Sequence, residues 1–281
     1  MERIELHPRL LEKCSYAVID PVLVDATSWQ HLPVQSLAPP AHAGLASQLP
    51  WVLPLRELGA DERSGLFAEV FERTSAGQPP LFCLLIESAQ TPGSVIRHLA
   101  RMMVVHAPED RKPYQLRYHD AHTLMQLAWI LNADQQKTLL GPATAWTFPL
   151  EQWWCLRPDE TATAMPGLRL EAGQWQQLQR VGTINVALAR QDAPVEQRAA
   201  LGRQLYPWLV TAATVGLTDE DDVIAFATQG TARHPGFYRH PDIARILAQC
   251  EGQPKRYGRL TAALTETDWQ RIAADMSSLS T

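Results

Sequence analysis

The chain has 281 residues, enough for one large domain or two lobes, and carries a net charge of -5. That balance excludes the basic stripe of a nucleic-acid footprint, and no Lys or Arg block suits an anionic membrane surface. Hydrophobic residues at 46% and charged residues at 20% exclude disorder, and no apolar run approaches the roughly 18 residues of a membrane span.

The first fourteen residues are charged and lack the apolar core of a signal peptide. Cys14, Cys83, Cys155 and Cys250 form no Cys-x-x-Cys pair, so buried free thiols and a cytoplasmic setting are expected. In chain order, Tyr16-Ala17-Val18-Ile19-Asp20 predicts a first strand, which Pro21 ends. Residues 31–50, rich in Pro, Ala and Ser, predict an ordered loop or short turns. Trp51-Val52-Leu53-Pro54-Leu55 predicts a strand at a sheet edge or one ending at Pro54. Asp61-Glu62-Arg63 opens a helix whose Leu66, Phe67, Val70 and Phe71 share one apolar stripe. Pro79-Pro80 breaks it, and the apolar run Leu81-Phe82-Cys83-Leu84-Leu85-Ile86 predicts a central strand.

Thr91-Pro92 starts the next helix, with Val95, Ile96, Leu99, Met102 and Met103 on its buried side. Alternation of Tyr114, Leu116 and Tyr118 predicts a strand that runs through Arg117 to His119-Asp120. An apolar helix follows (Leu124, Leu127, Ala128, Leu131), then a short helix closed by Gly141-Pro142. Trp146-Thr147-Phe148 and Trp153-Trp154-Cys155-Leu156 add antiparallel strands at one edge. Alternating strands and helices thus predict an α/β N-terminal lobe over residues 1–157, a mixed sheet flanked by helices. Polar, turn-rich residues 157–167 mark a boundary, and an α-helical C-terminal lobe follows over residues 168–281. There Thr218 is placed to cap a helix beginning Asp219-Glu220-Asp221-Asp222. His240-Pro241-Asp242 and Thr265-Glu266-Thr267-Asp268 open two more.

The order of several of these segments resembles the DUF4123 family, the adaptor or chaperone proteins of bacterial type VI secretion. The segments are Tyr16-Ala17-Val18-Ile19-Asp20, Pro50-Trp51-Val52-Leu53, Arg117-Tyr118-His119-Asp120 with the helix through Leu124, Gly141-Pro142, and Trp146. The helical tail, from Gly216-Leu217-Thr218 to His240-Pro241-Asp242-Ile243, fits as well. The chain departs from the family pattern in carrying Ala121 in place of a proline and His119 in place of a second aromatic. The resemblance implies a non-enzymatic cytoplasmic protein that holds a toxic effector before secretion and helps load it onto a VgrG-type spike protein. It implies no cofactor and no catalytic or metal-binding residues.

On this reading Arg117, Tyr118, Asp120, Trp153 and Trp154 are the expected protein-binding residues. An exposed sheet edge, or a groove between lobes, would receive an extended or apolar effector segment. Each residue also has a structural reading. Arg117 pairs with Asp20 or Asp120, Asp120 caps a helix, and the tryptophans pack a sheet edge. From another class comes a small metal-dependent hydrolase using His119, Asp120 and His122, although no spacing supplies further ligands. A structural subunit of a larger assembly is the third reading. Gly-x-Ser-x-Gly and Gly-rich phosphate loops are both absent from the sequence. His234 and His240, which flank Pro235-Gly236-Phe237, read as parts of a turn between helices.

Overall fold

The computed structural model describes residues 1–38 and 40–278. Residue 39, within the loop expected over 31–50, and residues 279–281, at the end of the second lobe, lie outside the described residues. The chain forms two units, Met1–Trp175 and Gln176–Thr281.

The strands are β1 (Glu2–Ile4), β2 (Tyr16–Ile19), β3 (Gln35–Ser36), β4 (Trp51–Pro54), β5 (Leu84–Glu87), β6 (Val104–His106), β7 (Pro113–Gln115), β8 (Ala145–Leu150) and β9 (Gln152–Leu156). Seven of them form one sheet in the order β1-β9-β8-β5-β2-β4-β3, while β6 and β7 form a separate ribbon. The first unit also holds α1 (Arg9–Lys13), α2 (Ala60–Ser75), α3 (Pro92–Met102), α4 (Ala121–Ile130) and α5 (Ala133–Leu140). α6 (Ala172–Gln179) spans the division in the chain. The second unit contains α7 (Val181–Arg190), α8 (Val195–Thr214), α9 (Glu220–Ala232), α10 (Pro241–Cys250), α11 (Tyr257–Thr261) and α12 (Glu266–Ser278).

An α/β lobe followed by a helical lobe is therefore what the sequence led us to expect. The sheet is antiparallel at every pairing, however, and not mixed. The reason lies in strand order. β4 and β5, joined through α2, run parallel to each other, but β2 intercalates between them and opposes both. Alternation in sequence thus fails to make parallel neighbours.

The apolar run at residues 81–86 does feed the central strand β5. β4 ends at Pro54, the second of the two expected outcomes, and is not an edge strand, because the two-residue β3 pairs with it. The tryptophan strands β8 and β9 sit inside the sheet as well, with β1 covering β9. The strand expected at 114–118 shrinks to β7, and Leu116 continues it only by donating its N–H to Met103 O at 2.8 Å.

Both faces of the sheet are covered, which explains why β2 and β5 read as continuous apolar runs. On one face Ala17, Leu53, Leu85 and Trp153 pack with Leu10 and Leu11 of α1 and Leu66 and Val70 of α2. On the other face, where Trp146 pairs in register with Ile86 and Leu156, Tyr118 lies 5.2 Å from the Trp146 ring. Burying one such large side chain contributes about 1.5–3 kcal/mol. Phe71 falls outside this core and is exposed, so the predicted stripe on α2 is narrower than its apolar pattern.

The second unit has its own core, built around Phe226, Phe237, Tyr257 and Trp269. The Phe226 ring lies 5.2 Å from Phe237 and 5.6 Å from Tyr257. Asp219, and not Thr218, caps α9, its carboxylate accepting from the N–H groups of Asp221 and Asp222. All four cysteines are free and buried, and burial pushes the Cys14 thiol up to about 12.

Candidate functional site

β2 delivers Asp20 to the end of the sheet. Its carboxylate is buried, and Oδ1 accepts the Val22 N–H at 3.0 Å, which fixes the turn after Pro21. The segment after β7 folds over it. Asp120 N–H donates to Arg117 O at 3.0 Å, closing a four-residue turn over residues 117–120. That turn sends consecutive side chains to different environments.

Arg117 reaches in from solvent. Its side chain is 52% exposed, yet Nη2 lies 3.5 Å from Asp20 Oδ2. Of the two pairings the sequence allowed, the structure makes the one with Asp20. Tyr118 is fully buried, and its hydroxyl donates to Leu99 O at 3.0 Å, tying the turn to α3. Burial holds its phenol well above the ordinary value, so it stays protonated.

His119 is buried too, with Nε2 3.6 Å from Asp20 Oδ2. Burial lowers its pKa from 6.5 to about 4, with Asp20 opposing the shift and Arg117 adding to it. The ring is therefore neutral at pH 7. Its Nδ1 has no hydrogen-bond partner among the described residues.

Asp120 caps α4, Oδ1 accepting from His122 N–H at 2.9 Å and Thr123 N–H at 3.1 Å. Here the carboxylate cap starts the helix without a proline at position 121. His122 is exposed on the first turn of α4. The structure thus brings Arg117 and His119 together on Asp20 and commits Asp120 to a cap. Among the described residues no group of three or more His, Cys, Asp or Glu is placed to hold a metal ion.

Trp153 and Trp154 are both buried, at 2% and 6% exposure, so neither presents a contact surface. Strand alternation sends them to opposite faces, but both faces of β9 are covered. The same correction applies to Tyr118 as a surface contact. Of the expected protein-binding residues, Arg117 is exposed and Asp120 half-exposed.

The Gly141-Pro142 segment also finds its reason. Gly141 ends α5 at φ 59° and ψ -120°, and a Cβ there would collide with the His98 imidazole. His98 Nε2 meets Leu139 O at 2.9 Å, and Ser88 Oγ donates to Pro142 O at 2.9 Å. The motif docks the end of α5 onto α3 and the end of β5. Residues 158–171 are also strapped to α5. Thr163 N–H donates to Asp134 Oδ1 at 2.7 Å, Met165 N–H to Thr138 Oγ1 at 2.8 Å, and Gln135 Nε2 to Arg169 O at 2.7 Å.

Two surface features escaped the sequence reading. Val22 and Leu23 are exposed in the turn that Asp20 fixes, and the only hint was an aliphatic pair after a proline. The other is β6, whose three residues are too few to announce a strand and which pairs with β7 to form a ribbon.

Residues 15–138 match the family model described as domain of unknown function (DUF4123), which supports the resemblance over the greater part of the first unit. No curated protein and no solved structure gave a match.

Proposed function

We propose that this protein is a non-enzymatic adaptor of type VI secretion. It binds a secreted effector in the cytoplasm and helps load it onto a VgrG-type spike protein. The observation that supports this reading is the DUF4123 match over residues 15–138, a segment that contains the whole Asp20–Arg117–His119 cluster.

The cluster suits recognition better than proton transfer. Its histidine is buried and neutral, its carboxylate is already engaged, and only the Arg117 guanidinium reaches water. No helix among the described residues is long and apolar enough to cross a membrane.

The test is affinity purification of tagged protein from its native host, with cross-linking and mass spectrometry. Recovery of a large effector and a spike protein, cross-linked to the first unit, is the expected outcome. Recovery of the protein alone as a monomer would overturn the reading.

A further inference from the structure

Among the described residues, no strand pairs with the outer side of β6 in the β6–β7 ribbon. Leu116 N–H donates to Met103 O, and Ala107 N–H to Lys112 O at 3.0 Å. Residues 103, 105 and 107 therefore turn their backbone groups toward β7, and by the parity of an antiparallel ladder Val104 and His106 turn theirs away from it. Backbone groups on such an edge are an offer of strand addition.

The edge borders a cavity of about 460 Å³, lined by Arg97, Arg101, Met102, Val104, His106 and Leu168 among others. Arg97 and Arg101 stand one helical turn apart on the end of α3, and both are exposed. Neither pairs with a carboxylate among the described residues, and no acidic residue lines the cavity. Val104, itself exposed, supplies an apolar floor.

We infer that the open edge of β6 is the docking site for an extended acidic segment of the protein partner. The segment adds as a strand to Val104 and His106 and sets its carboxylates against Arg97 and Arg101. Backbone bonds supply affinity independent of sequence, while the arginine pair selects for acid. The identity of the partner rests on the adaptor reading above, but the chemistry of the site does not.

Two variants of the full chain separate edge from charge. His106→Pro removes an outward donor and leaves the bonds to β7, because Val105 before it is already extended. The double variant Arg97→Glu/Arg101→Glu reverses the charge on the exposed face of α3, at the cost of the 3.3 Å contact between Arg101 Nη2 and His98 Nδ1, so its fold is checked by thermal melting against Arg101→Ala. The probe is a fluorescent peptide of about eight residues alternating Glu and Val, followed by anisotropy and by amide hydrogen exchange. Saturable binding with new protection at Val104 and His106 is expected, weakened about tenfold or more by either variant, while the same peptide with Lys for Glu does not bind. Absence of saturable binding, or binding that both variants leave unchanged, would overturn the inference. Affinity purification with the two variants keeps the claims apart. If the wild-type chain captures its effector and both variants do so equally, the β6 site fails and the adaptor reading stands. If the wild-type chain captures none, the adaptor reading fails.

Discussion

Asp20 is a buried carboxylate whose nearest cation comes from the surface, and that asymmetry sets what each partner is worth. Water can replace the half-exposed Arg117 guanidinium in part, so Arg117→Ala should cost only about 1 kcal/mol in urea unfolding. Asp20→Asn in the same chain removes the charge that Arg117 answers, so the double variant should cost less than the sum of the singles. Strict additivity would show that the pair is not coupled and would leave Arg117 free for a partner. His119 makes a separate prediction. Its folded pKa, about 4, lies below its ordinary 6.5, so between those values the unfolded chain binds a proton that the fold refuses. Stability should therefore fall as pH drops through 6.5 and level off below about 4, by up to roughly 3 kcal/mol. His119→Gln should flatten that part of the curve of unfolding midpoint against pH. An unchanged slope would place the titration elsewhere.

At the scale of elements, Gly141 shows how a short motif encodes a junction. Gly141→Ala would force an L residue into the positive-φ region and drive its Cβ into His98, so a loss of roughly 2–4 kcal/mol is expected. Adding His98→Ala should relieve the collision but not the backbone strain, giving partial recovery of the melting temperature. Full recovery would show that φ at position 141 carries no cost. The sequence was legible where one signal was strong: the apolar run that becomes β5, the carboxylate cap at Asp120, and Pro92 at the first position of α3. It was silent where the determinant is tertiary. β1 and β3 have three and two residues, too few for any period to emerge, yet they decide that β9 and β4 are not edges. The tryptophans of β9 alternate as any strand does, and only the second covering layer turns an in-and-out pattern into burial of both. Asp222 reads as one of four acids at a helix start, but it is buried and accepts the N–H groups of Arg256 and Gly258, both at 3.0 Å, to hold the start of α11.

At the scale of the whole molecule, each unit holds an apolar cluster of its own among the described residues, which implies a separable stability for each. The cluster around Leu85 and Trp153 draws only on residues of Met1–Trp175, and that around Phe226 only on residues of Gln176–Thr281. Phe226 touches Trp208, Phe237, Tyr238 and Tyr257, so Phe226→Ala should remove about 3–5 kcal/mol from the second unit. Hydrogen exchange would then show α8, α9 and α10 opening at a lower temperature, with the amides of Ala17 and Leu85 in β2 and β5 protected as before. If the proposed adaptor reading holds, then because the DUF4123 match lies wholly within the first unit, effector capture should survive in this variant at temperatures where the second unit has opened. Loss of capture in step with the opening of α9 would instead assign the effector contact to the helical unit. Loss of protection in β2 and β5 in the same experiment would show that the two cores melt as one.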